Sequence, residues 1–369
     1  KNIVTMWRYL KTTKASMSAL AFLLSRTDEG SRHRRGEWDV EDDAVPSEQV
    51  LEHPRREAEG GRCPGCRARR SFPGHGRAPR SAAPADVHSA STEPLTPLGF
   101  LGRAAAVFPD REAVVYGSRR STYREFAAEV QQLARAVKAR IRPGETVTVI
   151  APNIPAMLMA HFAVPLAGGV LSPLNPRLTA RELAYILEHS EARVVFADGD
   201  VAATVRDVVG NLPQAPLVVE IVDTEAGHTG PADPDAGSLT YEDFLAQGPA
   251  GPDLPWRVAD EQAPITLNYT SGTTGPPKGA MLTHRNLESN ALMSRHWLGS
   301  GEREVVHGVL PLFHAFGLTL GVTFAMSLGA RLVLFPTVRA DLILGAMKRA
   351  RPTVLPAVPP VYQKLLDAA

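Results

Sequence analysis

The chain is short of the residues that staple, span or grip by charge. Cys63 and Cys66 are its two cysteines, too few for a disulfide framework. No apolar run is long. The longest, Ala156 to Leu171, is interrupted by His161 and Pro165 and falls short of the ~20 residues that a membrane-spanning helix needs. A transmembrane segment is therefore not expected, although peripheral membrane contact stays open. Forty basic residues against thirty-nine acidic ones leave a net charge of +1, so no whole-molecule field exists to hold a polyanion, and nucleic acid is not an expected partner. Nothing in these counts points to secretion, and a cytoplasmic location is expected. Lysine is scarce as well: seven lysines stand against thirty-three arginines, and Lys278 is the one lysine between Lys138 and Lys348. What is present, 44% hydrophobic, 21% charged and 6% aromatic residues over 369 positions, fits a globular chain with room for two domains.

Organisation changes near residue 94. Between Asp28 and Ser91 there is no sustained apolar period, and Glu, Asp, Arg, Gly and Pro dominate, a composition that buries too little apolar surface to offset the entropy of ordering. Residues 1–94 are thus expected to form a disordered leader or extension. Its first 27 residues hold five basic and no acidic side chains around the run Met17 to Leu24, which reads either as an amphipathic targeting peptide or as an irrelevant extension. Cys63-Pro-Gly-Cys66 lacks a second ligand pair and is not read as a metal site.

From Thr96 the pattern becomes regular. Thr122 and Glu125 have capping-box spacing before an amphipathic run from Phe126 to Val137, and Thr179 with Glu182 repeat it before a helix to about Glu188. Strands are expected at Thr146–Ile150, Val170–Ser172, Val194–Ala197, Leu217–Val222, Ile265–Tyr269, Val305–Gly308, Arg331–Phe335 and Thr353–Ala357, with helices between them. Asn153 is placed to cap the helix that runs to about Leu166. Alternation of this kind predicts an α/β fold of parallel-rich sheets flanked by helices. The expected division is 95–264 for a first α/β subdomain and 265–369 for the start of a second.

In open α/β sheets ligands sit beyond the carboxyl ends of strands, which directs attention to the loop after Tyr269. Thr270-Ser271-Gly272-Thr273-Thr274-Gly275-Pro276-Pro277-Lys278-Gly279 packs four hydroxyls, three glycines and the one local lysine into ten residues. Glycines let backbone N–H groups approach an anion, hydroxyls add donors without bulk, and the lysine adds a full positive charge. The combination suits phosphate oxygens. It is not a Walker A loop, since Pro277 stands where that motif needs Gly and Gly279 where it needs a hydroxyl. Pro276 and Pro277 also prevent a helix from starting inside the loop, so a hairpin-like loop is expected.

Leu267-Asn-Tyr-Thr-Ser-Gly-Thr-Thr-Gly-Pro-Pro-Lys278 resembles the AMP-binding signature of the adenylate-forming superfamily. The resemblance continues through Met281-Leu-Thr-His-Arg-Asn286, Leu310-Pro-Leu-Phe-His-Ala-Phe-Gly317, Asn153-Ile-Pro-Ala and Ala167-Gly-Gly-Val, and spans Thr96 to Ala369. Within the superfamily the resemblance is closer to fatty-acyl-CoA ligases than to the peptide-synthetase group, the part before the loop looking more like medium-chain members and the part after it more like long-chain ones. The resemblance implies the fold of the large N-terminal domain of these enzymes and a two-step reaction. ATP and a carboxylate give an acyl-adenylate and pyrophosphate, and coenzyme A then displaces AMP, with Mg²⁺ bridging the phosphates. It further implies that Thr270, Ser271, Gly272, Thr273, Thr274, Gly275 and Lys278 bind phosphates, and that His314 faces the acyl carboxylate with Phe313, Phe316 and Gly317 beside it. Two bland readings stay open: His314 as a helix-capping histidine, and Phe313, Phe316 and Leu318 as ordinary core. The superfamily's later motifs and its small C-terminal domain have no counterpart in the chain. The expectation is therefore an incomplete acid-thiol ligase, inactive by itself. The alternatives are a catalytically silent nucleotide- or acyl-binding protein, an aryl-CoA ligase or an adenylation domain.

Overall fold

The computed structural model describes residues 93–228, 230, 239–270 and 276–369. Residues 1–92 of the expected leader, its CxxC pair and loop residues 271–275 lie outside them. The described chain begins with helix α1 (Leu98–Val107), whose Leu98, Leu101 and Ala104 are fully buried. Strands β1 (Glu112–Tyr116) and β2 (Arg119–Thr122) form a hairpin leading into helix α2 (Tyr123–Lys138). The capping box is formed there: Thr122 Oγ1 accepts from Glu125 N, and Glu125 accepts from Thr122 N at 2.7 Å.

A regular alternation follows: β3 (Thr146–Ile150), α3 (Pro155–Leu166), β4 (Val170–Leu174), α4 (Ala180–His189), β5 (Val194–Asp198), α5 (Gly199–Val209) and β6 (Leu217–Ile221). Then come β7 (Leu239–Thr240), α6 (Tyr241–Ala246), β8 (Pro264–Thr270) and β9 (Lys278–Thr283), with helix α7 (His284–Leu298) after them. The rest comprises β10 (Val305–Gly308), α8 (Ala315–Gly317), a π turn over Leu318–Thr323, α9 (Phe324–Leu328), β11 (Arg331–Leu334), α10 (Ala340–Ala350) and α11 (Pro359–Asp367).

Two sheets result. Seven strands run in the order β7-β6-β5-β3-β4-β8-β9, parallel throughout except for the antiparallel β8–β9 pair. Four strands form the second, β10-β11-β1-β2, where only β1–β2 is antiparallel. Helices α4 and α5 cover one face of the large sheet through Leu183, Ile186, Leu187, Ala202 and Val205. Between the two sheets, α1, α2, α3 and α9 fill a shared core in which Phe126 and Phe162 meet edge to face at 6.3 Å. The outer face of the small sheet packs on α10 and α11 through Val333, Phe335, Ile343, Val361 and Leu365. No helix among the described residues is long and apolar enough to cross a membrane.

The α/β class and the parallel-rich, helix-flanked sheets agree with the sequence. The internal boundary does not: β8 from the second stretch joins the large sheet, and β1 and β2 from the first join β10 and β11. Strand pairing here follows buried faces and not chain order. Thr353–Ala357 is not a strand either. Val354 makes one bridge to Val306, in a segment interrupted by Pro356, which has no N–H to extend a ladder.

Candidate active site

Strands β8 and β9 form a hairpin in which Thr270 lies opposite Lys278 and Tyr269 opposite Gly279. The hairpin expected from Pro276 and Pro277 is thus present, with loop residues 271–277 between its strands. Thr270 and Lys278 close its mouth, both exposed, and the Thr270 hydroxyl reaches the Lys278 carbonyl at 3.4 Å. Just below the mouth, Tyr269 is anchored to helix α4. Its hydroxyl and His189 Nδ1 form a 2.7 Å hydrogen bond, and Tyr185 stacks on the other side of His189 with centroids 5.5 Å apart. Burial pushes the Tyr269 phenol up to about 12, so it stays a neutral hydroxyl.

On the opposite face of β8, Asn268 is buried and donates from Nδ2 to the Phe313 carbonyl at 3.2 Å. That bond ties the hairpin to the Leu310–Gly317 segment. His314 stands at its turn into α8 as an exposed residue, and its Nδ1 accepts from Phe316 N at 3.1 Å. The capping reading of this histidine is therefore correct. An Nδ1 that accepts must be unprotonated, so a neutral ring carries its proton on Nε2 and offers that N–H outward. Phe313 and Phe316 are half-buried beside it, while Leu318 is core. Gly317 is required by space: a Cβ there would lie 2.1 Å from the Pro311 carbonyl oxygen.

Asn153 corrects an expectation. It does not cap α3, whose N-cap is Ile154 without a side-chain bond. Instead its buried carboxamide donates to Gly308 O at 3.1 Å and Leu310 O at 2.8 Å and accepts from Leu312 N at 2.8 Å. His161, read in the sequence only as an interruption of an apolar run, donates from Nε2 to Leu312 O at 3.1 Å. Burial lowers its pKa to about 4, which keeps it neutral.

The residues flanking the loop suit an anion. Between Pro264 and Leu287 there is no carboxylate, so a Mg²⁺ would arrive held by nucleotide phosphates and not by the hairpin. Among the described residues, Asp198, Asp200 and His228 bring possible metal ligands together. They stand at the end of β5, three strand spacings or about 14 Å across the sheet from β8. Asp198 has a structural task there, accepting from Asp200 N as the cap of α5, and burial pushes its carboxyl up to about 6.

Comparison with known proteins fits this geometry. The sequence pattern of the AMP-binding enzyme family matches residues 101–369. The chain belongs to this family. Over 284 residues it is 38% identical to the peroxisomal acetate/butyrate–CoA ligase of Arabidopsis thaliana, covering 74% of this chain and 49% of that protein. With the peroxisomal butyrate–CoA ligase of the same plant it shares 34% identity over 287 residues, 76% of this chain and 50% of the other. Among solved structures, an anthranilate CoA ligase in complex with anthranoyl-AMP superposes with a TM-score of 0.65 at 26% identity, covering 73% of this chain and 51% of that one. The chain spans about half the length of the relatives it matches.

Proposed function

We propose that this protein is a fatty-acid–CoA ligase: it activates an alkanoate with ATP and passes the acyl group to coenzyme A. In the first step a carboxylate oxygen attacks the α-phosphorus and pyrophosphate leaves; in the second the coenzyme A thiolate attacks the acyl carbon and AMP leaves. Lys278 supplies a positive charge and Thr270 a hydroxyl for the phosphates, together with Ser271, Gly272, Thr273, Thr274 and Gly275 of the loop. His314 offers Nε2–H to the carboxylate, and Phe313, Phe316 and Gly317 border the acyl group. Mg²⁺, brought by the nucleotide, neutralises phosphate charge. The location proposed with this activity is cytoplasmic.

One observation carries the reading. Asn268, two residues before Thr270 on β8, holds the carbonyl of Phe313, the neighbour of His314. One strand therefore connects the anion-suited mouth to the exposed histidine. Titration calorimetry of the chain with ATP, and with sulfamoyl adenosines carrying acetyl to oleoyl or benzoyl groups, tests it. Binding of the acyl analogues with a maximum within the alkanoyl series is expected. A benzoyl preference would move the substrate to aryl acids, and no binding of any adenosine compound would overturn the proposal.

A further inference from the structure

The segment that delivers His314 has almost no secondary structure of its own, yet its carbonyls from Leu310 to His314 all have partners. Leu310 O, Leu312 N, Leu312 O and Phe313 O are each bonded to a side chain: the first two to Asn153, the third to His161 and the fourth to Asn268. Pro311 has no N–H, and its carbonyl accepts from His314 N at 3.1 Å; His314 O accepts from Leu318 N at 3.0 Å. Asn153 comes from the turn into α3, His161 from α3 and Asn268 from β8, each more than forty residues away in sequence, and all three are buried. Asn153 uses both amide hydrogens and its oxygen, and its Gly308 bond also fixes the end of β10.

We propose that Asn153, His161 and Asn268 are positioning residues that set where the His314 imidazole stands and which nitrogen carries its proton. This rests on the reading of His314 as the carboxylate-orienting group. Three buried side chains brace the four consecutive residues Leu310–Phe313 from two elements, α3 with its lead-in and β8. The segment's rigidity passes to His314 through the short α8 turn, where Nδ1 is occupied by Phe316 N. A displacement of about 1 Å at such a site costs up to a hundredfold in productive alignment. Asn268 adds a second link, because any movement of β8 at Thr270 is felt at the Phe313 carbonyl.

The test uses the 369-residue chain labelled with ¹⁵N-histidine. In the unsubstituted protein, His314 shows an unprotonated, hydrogen-bonded Nδ1 and a protonated Nε2. In Asn153→Ala these signals move toward the averaged pattern of a free imidazole. The Leu312 amide exchanges about a hundredfold faster while those of β3 and β5 change little. Affinity for an alkanoyl-sulfamoyl adenosine falls about tenfold and that for ATP hardly at all, a split that general destabilisation does not produce. Should Asn153→Ala fail to fold, the His161 pair decides: His161→Ala moves the His314 signals, and His161→Gln, which keeps a donor, restores them. Unchanged His314 signals in the folded variant overturn the proposal whatever the melting temperature does. If the unsubstituted chain binds no adenylate analogue, the carboxylate reading fails, and the ligand-free imidazole signals still settle the positioning.

Discussion

The two halves of the candidate site are built in opposite ways. The Leu310–Gly317 segment is held from inside: three buried polar side chains occupy its carbonyls and amide, and Gly317 packs against Pro311 with no room for a methyl group. Among the described residues, the Thr270–Lys278 mouth is held from below, by the β8–β9 ladder and the Tyr269–His189 bond, and Thr270 and Lys278 are exposed. A carboxylate is small and must be presented in one orientation, which favours a fixed donor. A triphosphate is large and highly charged, so charge density at a mouth matters more than one fixed geometry. On the proposed reading, the domain uses buried hydrogen bonds for direction at His314 and exposed groups for charge at Lys278.

The contrast can be broken most severely at Gly317. Gly317→Ala drives a Cβ into the Pro311 carbonyl, a backbone atom that cannot swing aside. We expect a loss of about 3 kcal/mol or more, at or beyond the usual range for overpacking, seen as a melting temperature lower by roughly 5–10 °C. A melt within a degree of the parent would show that the segment is looser than described.

Acid attacks the same half through His161. Its folded-state pKa of about 4 lies below the ordinary 6.5 because burial disfavours the charged ring. The unfolded chain therefore takes up the proton first. Stability that is complete above pH 6.5 is lost as pH falls toward 4, by up to roughly 3 kcal/mol at about 1.36 kcal/mol per pKa unit. His284 and His307, also held near 4 by burial, act in the same direction, while Asp198, raised to about 6, gains stability as pH falls and opposes them. Denaturant melts of the parent and of His161→Gln between pH 4.5 and 6 isolate the contribution of His161. The slope of stability against pH should fall by about one proton in the variant.

The smallest effect on stability belongs to the exposed half. Lys278→Ala should shift stability by no more than ~0.5 kcal/mol. Affinity for ATP should nevertheless drop about ten- to hundredfold, the 1.5–3 kcal/mol of a hydrogen bond to a charged group. Lys278→Arg should recover part of this, since a planar fork does not reproduce a compact ammonium. Calorimetric titration beside a thermal melt checks both; equal ATP affinity in parent and Lys278→Ala would remove the phosphate role from the hairpin.

How much of this was legible in the sequence depended on the range of the interaction. The capping boxes at Thr122 and Thr179 were readable because donor and acceptor sit three residues apart, and both are formed. Strands β1, β2, β7 and β9 are not among the expected ones. β2 carries the exposed Arg119 and Arg120, β7 has two residues, and four of the six β9 residues are exposed, so these lack the apolar run of a buried strand; β1 does hold such a run, Ala113–Tyr116, in a strand of five residues. For the site, Thr270, Lys278 and His314 stood out by residue type. Asn153 and His161 did not, because an asparagine before a helix looks like a cap and a histidine in an apolar run looks like an interruption. Their partners are about 150 residues away, and no local pattern announces them.

The pairing of β1 with β11 also sets a schedule. Val114 lies beside Leu332, more than two hundred residues later. At ~5–20 residues per second of synthesis, β1 waits on the order of 10–40 seconds for its partner. Strands β3 to β6 can associate in that interval, since they stand side by side in the sheet as β6-β5-β3-β4 and all four are complete by Ile221. A β1–β2 hairpin has no such neighbour, and a two-stranded ribbon is at best marginally stable in water. On the ribosome, the small sheet is thus the late and vulnerable part of the domain, its open edge in need of shelter until β11 arrives.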